Sequence, residues 1–328
     1  LMLGMFSALL ASGLWVLVAT LTALPVSSTH SIVGAILGFG VVAGGPGAVN
    51  WLKIGGIVLS WVISPFFGGV VAFSVFTMIR RFIFGKSRFL EQARFWAPFW
   101  ITLTVGLVVL SFVFKTPAGE RLPMGLLGKI VLTLLLCVGA WFGGSQYVKR
   151  KIRQVEDGAE GVEEIFRNMQ VGTSCYVALS QGANDVANAI GPVVAVYMIA
   201  RHHALLEKAE VPLFLLVLGG IGIALGIMLL GKKVMVTIGE RITVLTNTRG
   251  FSVDFGAATT VLGASVLGMP VSSTHAAVGS VVGVGLARGF AAVDFRVLIK
   301  IVLYWVLTVP VAAFTCIIIY QLLRWILM

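Results

Sequence analysis

The stretch PVSSTHSIVGAILGFG, residues 25–40, returns as PVSSTHAAVGSVVGVG at residues 270–285, 245 positions further on. The hexapeptide is identical in both places, and the likeness extends outward from it. Phe6-Ser7 aligns with Phe251-Ser252 at the same offset, and IVLSWVI at 57–63 aligns with IVLYWVL at 301–307 at an offset of 244. Self-similarity on this scale marks two copies of one structural unit, here residues 1–80 and 246–324. In each copy a proline and three hydroxyls interrupt apolar sequence. Pro25 and Pro270 stop a helix arriving from the N-terminal side, and the Ser-Ser-Thr run offers N-caps to the helix that follows, so each motif reads as the tip of a helical hairpin.

The sequence around the repeat decides the solvent. Of 328 residues, 58% are apolar and 11% are Asp, Glu, Lys or Arg, against roughly a quarter charged in a soluble domain. A net charge of +11 raises the question of nucleic acid, but the placement of charge excludes it: residues 1–79 hold one charged residue, Lys53, and residues 255–287 and 301–323 hold none. Each stretch exceeds the roughly 20 residues that cross a bilayer, so the chain is an all-α polytopic membrane protein. Spans are expected at 3–23, 25–45, 54–79, 95–114, 124–148, 171–200, 211–231, 251–269, 270–287 and 298–323. Cys137, Cys175 and Cys316 form no CxxC pair and read as small core residues. Trp51, Trp61, Trp96, Trp100 and Trp141 read as anchors or packing residues, and residues 1–24 lack the basic start of a signal peptide.

Basic clusters set the orientation. Arg80, Arg81, Lys86, Arg88 and Arg94, then Lys149, Arg150, Lys151 and Arg153, then Lys232 with Lys233, all fall on one side by the positive-inside rule, the cytoplasm. The span at 54–79 runs into the first cluster, whereas its counterpart at 298–323 starts beside Arg288, Arg296 and Lys300. The copies are therefore inverted, an arrangement of secondary transporters with the substrate at the repeat interface. The domain organisation expected is the later part of a first inverted repeat at 1–80, intervening spans at 81–148, a charged cytoplasmic loop with a short surface helix at 149–169, and a second repeat at 170–328.

Two constellations carry chemistry. The hydroxyls Ser27, Ser28, Thr29, Ser272, Ser273 and Thr274, with freed N–H groups at the positive end of a helix, suit an oxyanion without any Lys or Arg. His30 and His275 are candidates for proton or oxyanion contacts. The other is SQGANDVANAIGPVVAV, 180–195, where Asp185 is the only formal charge between Arg167 and Arg201. A carboxylate at a helix centre costs about 2.5–3.5 kcal/mol on insertion scales, so it needs a partner. Asn184 and Asn188 lie one turn apart beside it, an oxygen set suited to a hard cation or a proton, and Gly182, Gly191 and Pro192 are places for the helix to unwind. A multivalent anion near Asp185 would be repelled unless a cation bound with it, which ties the two fluxes together.

GANDVANAIGP and the paired PVSSTH at this spacing resemble the inorganic phosphate transporter (PiT) family of sodium- or proton-phosphate symporters, over nearly the whole chain. The resemblance implies alternating-access phosphate uptake with a cation, Na+ in preference to H+, no other cofactor, and a site formed by Asn184, Asp185 and Asn188 with the hydroxyls of both PVSSTH copies. It also implies a multi-pass protein of the cell membrane of prokaryotic type, given the short 149–169 segment, with phosphate, cation and lipid as partners and a homo-oligomer as an open question. Gln181 stands where many members have His, so a proton role there has no support. Gly182 lies 88 residues before Pro270, which places an equivalent first-copy element upstream of Leu1 and leads to the expectation of an N-terminally truncated chain. Two rivals remain at this stage: a sulfate permease of the same family, and an intramembrane hydrolase using Ser28 with His30 or Ser273 with His275.

Overall fold

The computed structural model describes residues 1–115, 122–202 and 211–327, and every regular element among them is helical. The helices are α1 (Met2–Leu21), α2 (Ser28–Gly44), α3 (Trp51–Ile79), α4 (Phe89–Lys115), α5 (Leu126–Ile152), α6 (Ala159–His202), α7 (Leu213–Val236), α8 (Asn247–Val266), α9 (Ser273–Arg288) and α10 (Phe295–Leu327). Seven of these, α1, α3 to α7 and α10, are long and apolar enough to cross a membrane. The outward faces of α5 and α7 fit that solvent: Leu134, Leu135, Leu218 and Met228 are exposed side chains that only lipid would cover without penalty.

The segments expected as spans at 25–45, 251–269 and 270–287 are arms of two hairpins, α1–α2 and α8–α9. With 17 and 16 residues, α2 and α9 reach only about 25 Å, short of the ~30 Å hydrocarbon core. Each hairpin packs against the other copy's long helix, α2 on α10 and α9 on α3. The seams are built on glycine. A Cβ on Gly34 would stand 2.6 Å from the Val309 carbonyl and one on Gly38 2.5 Å from that of Ala313, while Gly279 and Gly283 press as tightly on the carbonyls of Pro65 and Gly69. The contacts advance together along both helices of each seam, so α2 runs parallel to α10 and α9 parallel to α3. Because the tips meet each other, the two seams point in opposite directions and the copies are inverted.

Two expectations are corrected. The charged segment 149–169 is not a loop bearing a separate surface helix: residues 149–152 end α5, 159–169 are the first turns of α6, and only 153–158 connect them. Val162, Ile165 and Phe166 are fully buried there and Lys151 bonds Glu164 at 2.9 Å, which anchors those turns as a continuation of the span. Likewise α6 runs unbroken through Gly182, Gly191 and Pro192, with Pro192 inside the helix. Unwinding would leave backbone groups unpaired in lipid, a larger loss than the one hydrogen bond a proline removes.

Candidate substrate and cation site

Both hairpin turns are made the same way. Ser27 and Ser272 are N-caps whose Oγ accepts from the His30 and His275 backbone N–H, each at 3.2 Å. The preceding turn passes through positive φ in both copies, at Ala23 (60°) and Gly268 (67°). The tips are then tied to one another across the repeat. The Thr29 hydroxyl donates to the Val271 carbonyl at 3.2 Å and the Thr274 hydroxyl to the Val26 carbonyl at 3.1 Å.

Behind the tips lies a second symmetric layer. His30 stacks on Trp61 and His275 on Trp305, each with ring centroids 3.6 Å apart, and the two imidazoles meet edge-on at 4.4 Å. His30 Nδ1 lies 3.3 Å from the Trp305 carbonyl and His275 Nδ1 2.9 Å from that of Trp61. A carbonyl only accepts, so Nδ1 carries the proton in both rings. Trp305 Nε1 donates to the Pro25 carbonyl at 2.9 Å, and Ser60 Oγ to the Pro270 carbonyl at 2.6 Å. The histidines thus brace the hairpins from behind and do not touch Asp185. The pairing of Ser28 with His30 that a hydrolase would need is not formed either, since the serine reaches Asp185 and the imidazole a carbonyl.

Asp185 stands in front of the tips, in the middle of α6. Ser273 Oγ lies 3.1 and 2.9 Å from its two oxygens, Ser28 Oγ 3.4 Å from Oδ1, and Asn184 Nδ2 donates to Oδ1 at 3.1 Å. Asn184 also donates to the Val271 carbonyl at 3.2 Å, and Asn188 to the Thr29 hydroxyl at 2.9 Å. Among the described residues no Lys or Arg pairs with this carboxylate. Six hydroxyls were expected to face one anion; in this arrangement Ser28 and Ser273 face the carboxylate, Ser27 and Ser272 cap, and Thr29 and Thr274 tie the tips.

Sequence reasoning passed over the part played by four residues. Trp61 and Trp305 were legible in the repeated IVLxWV, which places an indole at the same point of both copies. Asp254 of α8, just before the charge-free stretch, accepts from Ser174 at 2.7 Å and Thr173 at 3.3 Å on α6. Glu163 takes the amide of Thr248 at 2.8 Å and the hydroxyls of Thr246 and Thr248 at 2.7 Å each, capping α8 from another helix; no local signal announces a cap supplied in trans.

An inverted pair of hairpins meeting tip to tip on an intramembrane carboxylate defines a membrane transporter rather than an enzyme. The Phosphate transporter family model matches residues 1–316, and the chain belongs to that family. Two relatives named "Putative phosphate permease", from Pyrococcus horikoshii and Haemophilus influenzae, are 47% and 38% identical, each over 98% of this chain and 78% of their own length. Inorganic phosphate transporter 2-1, chloroplastic, of Arabidopsis thaliana is 40% identical over 94% of this chain and 57% of its own. The solved structure of a sodium-dependent phosphate transporter superposes with a TM-score of 0.89 at 44% identity, covering 99% of this chain and 80% of its own.

Proposed function

We propose that this chain imports inorganic phosphate across a cell membrane by alternating access, coupled to Na+ in preference to H+. The observation that carries the reading is one carboxylate shared by both copies: Ser28 and Ser273 reach Asp185 from opposite hairpins. As long as Asp185 is bare, it holds the hydroxyls a phosphate needs and repels the anion. A Na+ seated on Asp185 with the amide oxygens of Asn184 and Asn188 neutralises that charge and frees both serine O–H groups to turn to phosphate. The first N–H groups of α2 and α9 that Ser27 and Ser272 do not cap have no helical partners and would add anion donors. The oxygen-only ligand set and the likeness to a sodium-dependent relative support Na+.

Alternating access follows from the same symmetry, because tips tied to each other and braced by His–carbonyl hydrogen bonds exchanged between the copies move together relative to α6. Labelled phosphate uptake into proteoliposomes tests the whole reading. Accumulation under an inward Na+ gradient at equal pH is expected; accumulation that follows a pH gradient and ignores Na+ would transfer coupling to protons, and equal accumulation of sulfate would remove the preference for phosphate.

A further inference from the structure

A cluster of guanidinium groups lies away from Asp185, at the far end of α9. There a polar bowl of about 690 Å³ is lined by Arg241, Arg288 and Arg296 together with Glu240 and Asp294. Asp294 Oδ1 is engaged in capping α10, accepting from the N–H groups of Arg296 at 2.9 Å and Val297 at 3.2 Å. Arg288 keeps its place by donating to Thr243 Oγ1 at 3.2 Å and to the Val244 carbonyl at 3.4 Å, which leaves other donors of its fork free. Among the described residues no carboxylate pairs with any of the three guanidinium groups. The equivalent corner of the first copy has the same backbone, a positive-φ glycine (Gly45 for Gly289) followed by a single 3-10 turn, yet it carries Ala43 and Leu52 where the second carries Arg288 and Arg296.

An apolar groove of about 400 Å³ between α3, α9 and α10 runs from Trp305 and Gly279 to Leu286 and Leu298, and Leu298 stands one turn along α10 from Phe295, which lines the bowl. From Gly279 to Leu286 the helix advances about 10 Å, so the groove leads from the level of the hairpin tip to the arginines. Free phosphate would use the bowl and leave the groove empty. We propose that bowl and groove together bind one phosphate-headgroup lipid, its phosphate on the arginines and an acyl chain in the groove, where it holds α9 against α3. Basic pockets between membrane helices are suited to such headgroups.

The test uses the whole purified chain in an equimolar mixture of phosphatidylglycerol and phosphatidylcholine, with retained lipid counted by native mass spectrometry. Arg241→Gln with Arg296→Gln removes two guanidiniums that bond no described side chain, and should lower phosphatidylglycerol retention about tenfold with phosphatidylcholine unchanged. Arg241→Lys with Arg296→Lys should keep most of it. Val302→Trp, filling the groove, should lower retention with the arginines intact. Unchanged phosphatidylglycerol retention in the Gln variant overturns the proposal. So does a Gln variant that loses inorganic phosphate binding in a pure phosphatidylcholine bilayer while retaining phosphatidylglycerol, since the bowl would then take the free anion.

Discussion

The hairpins α1–α2 and α8–α9 share a hexapeptide, a capping serine, a stacked His–Trp pair and a glycine seam, and they differ where each faces something unlike. Ser273 bonds both oxygens of Asp185 at 2.9 and 3.1 Å, whereas Ser28 reaches one at 3.4 Å. Glycine takes the left-handed turn residue in the second copy and alanine in the first. The far corner carries Arg288 and Arg296 in one and Ala43 and Leu52, beside Lys53, in the other. Duplication has kept the parts that hold the backbone, and the differences sit at the carboxylate, at one strained turn and at the membrane surface. The shared layer behind the tips therefore reads as framework, and Ser28 and Ser273 in front of it, alike in sequence, differ in how closely they meet Asp185.

The largest effects should come from breaking the shared framework. Gly34→Val and Gly279→Val both drive a side chain into a backbone carbonyl that has no room to yield, and each should cost at least about 3 kcal/mol or prevent assembly, seen as loss of a monodisperse peak and of a cooperative melt. A fall in one variant alone would mean that the seams are not equivalent. Next come the serines. Ser273→Ala should weaken phosphate binding by about 1–3 kcal/mol and Ser28→Ala by less, near the lower end of the same range, as calorimetry would measure. Equal losses would erase the difference in geometry at Asp185. The smallest effect is at the turn: Ala23→Gly should stabilise by about 0.5–1 kcal/mol by relieving left-handed strain, and Gly268→Ala should destabilise by about 1 kcal/mol, both read from thermal unfolding midpoints.

Most of the fold was legible because the duplicated PVSSTH and the charge-free stretches are local signals. The repeat disclosed two hairpins and their caps, the basic clusters their inversion, and the lone Asp185 marked where a carboxylate needs company. Composition could not disclose which helix each hairpin embraces, since α2 on α10 and α9 on α3 are exchanges between copies far apart in sequence. For the same reason His30 and His275 looked like ligands: an imidazole among hydroxyls reads as chemistry until the indole of its own copy and the carbonyl from the opposite copy that engage it are in place. The unwinding expected at Gly182, Gly191 and Pro192 failed because flexible residue types permit a break without requiring one, and an intact ladder is favoured in lipid.

The central claim is that Asp185 couples a cation to the anion held by both tips. It is tested most directly by phosphate titration calorimetry on the wild type and on Asp185→Asn, at several Na+ concentrations with ionic strength held by choline. Binding linkage is reciprocal, so if Na+ occupies Asp185 the wild-type phosphate affinity should rise with Na+, and that dependence should vanish in Asp185→Asn while the protein still melts cooperatively. A variant whose phosphate affinity climbs with Na+ as steeply as the wild type's would contradict the account.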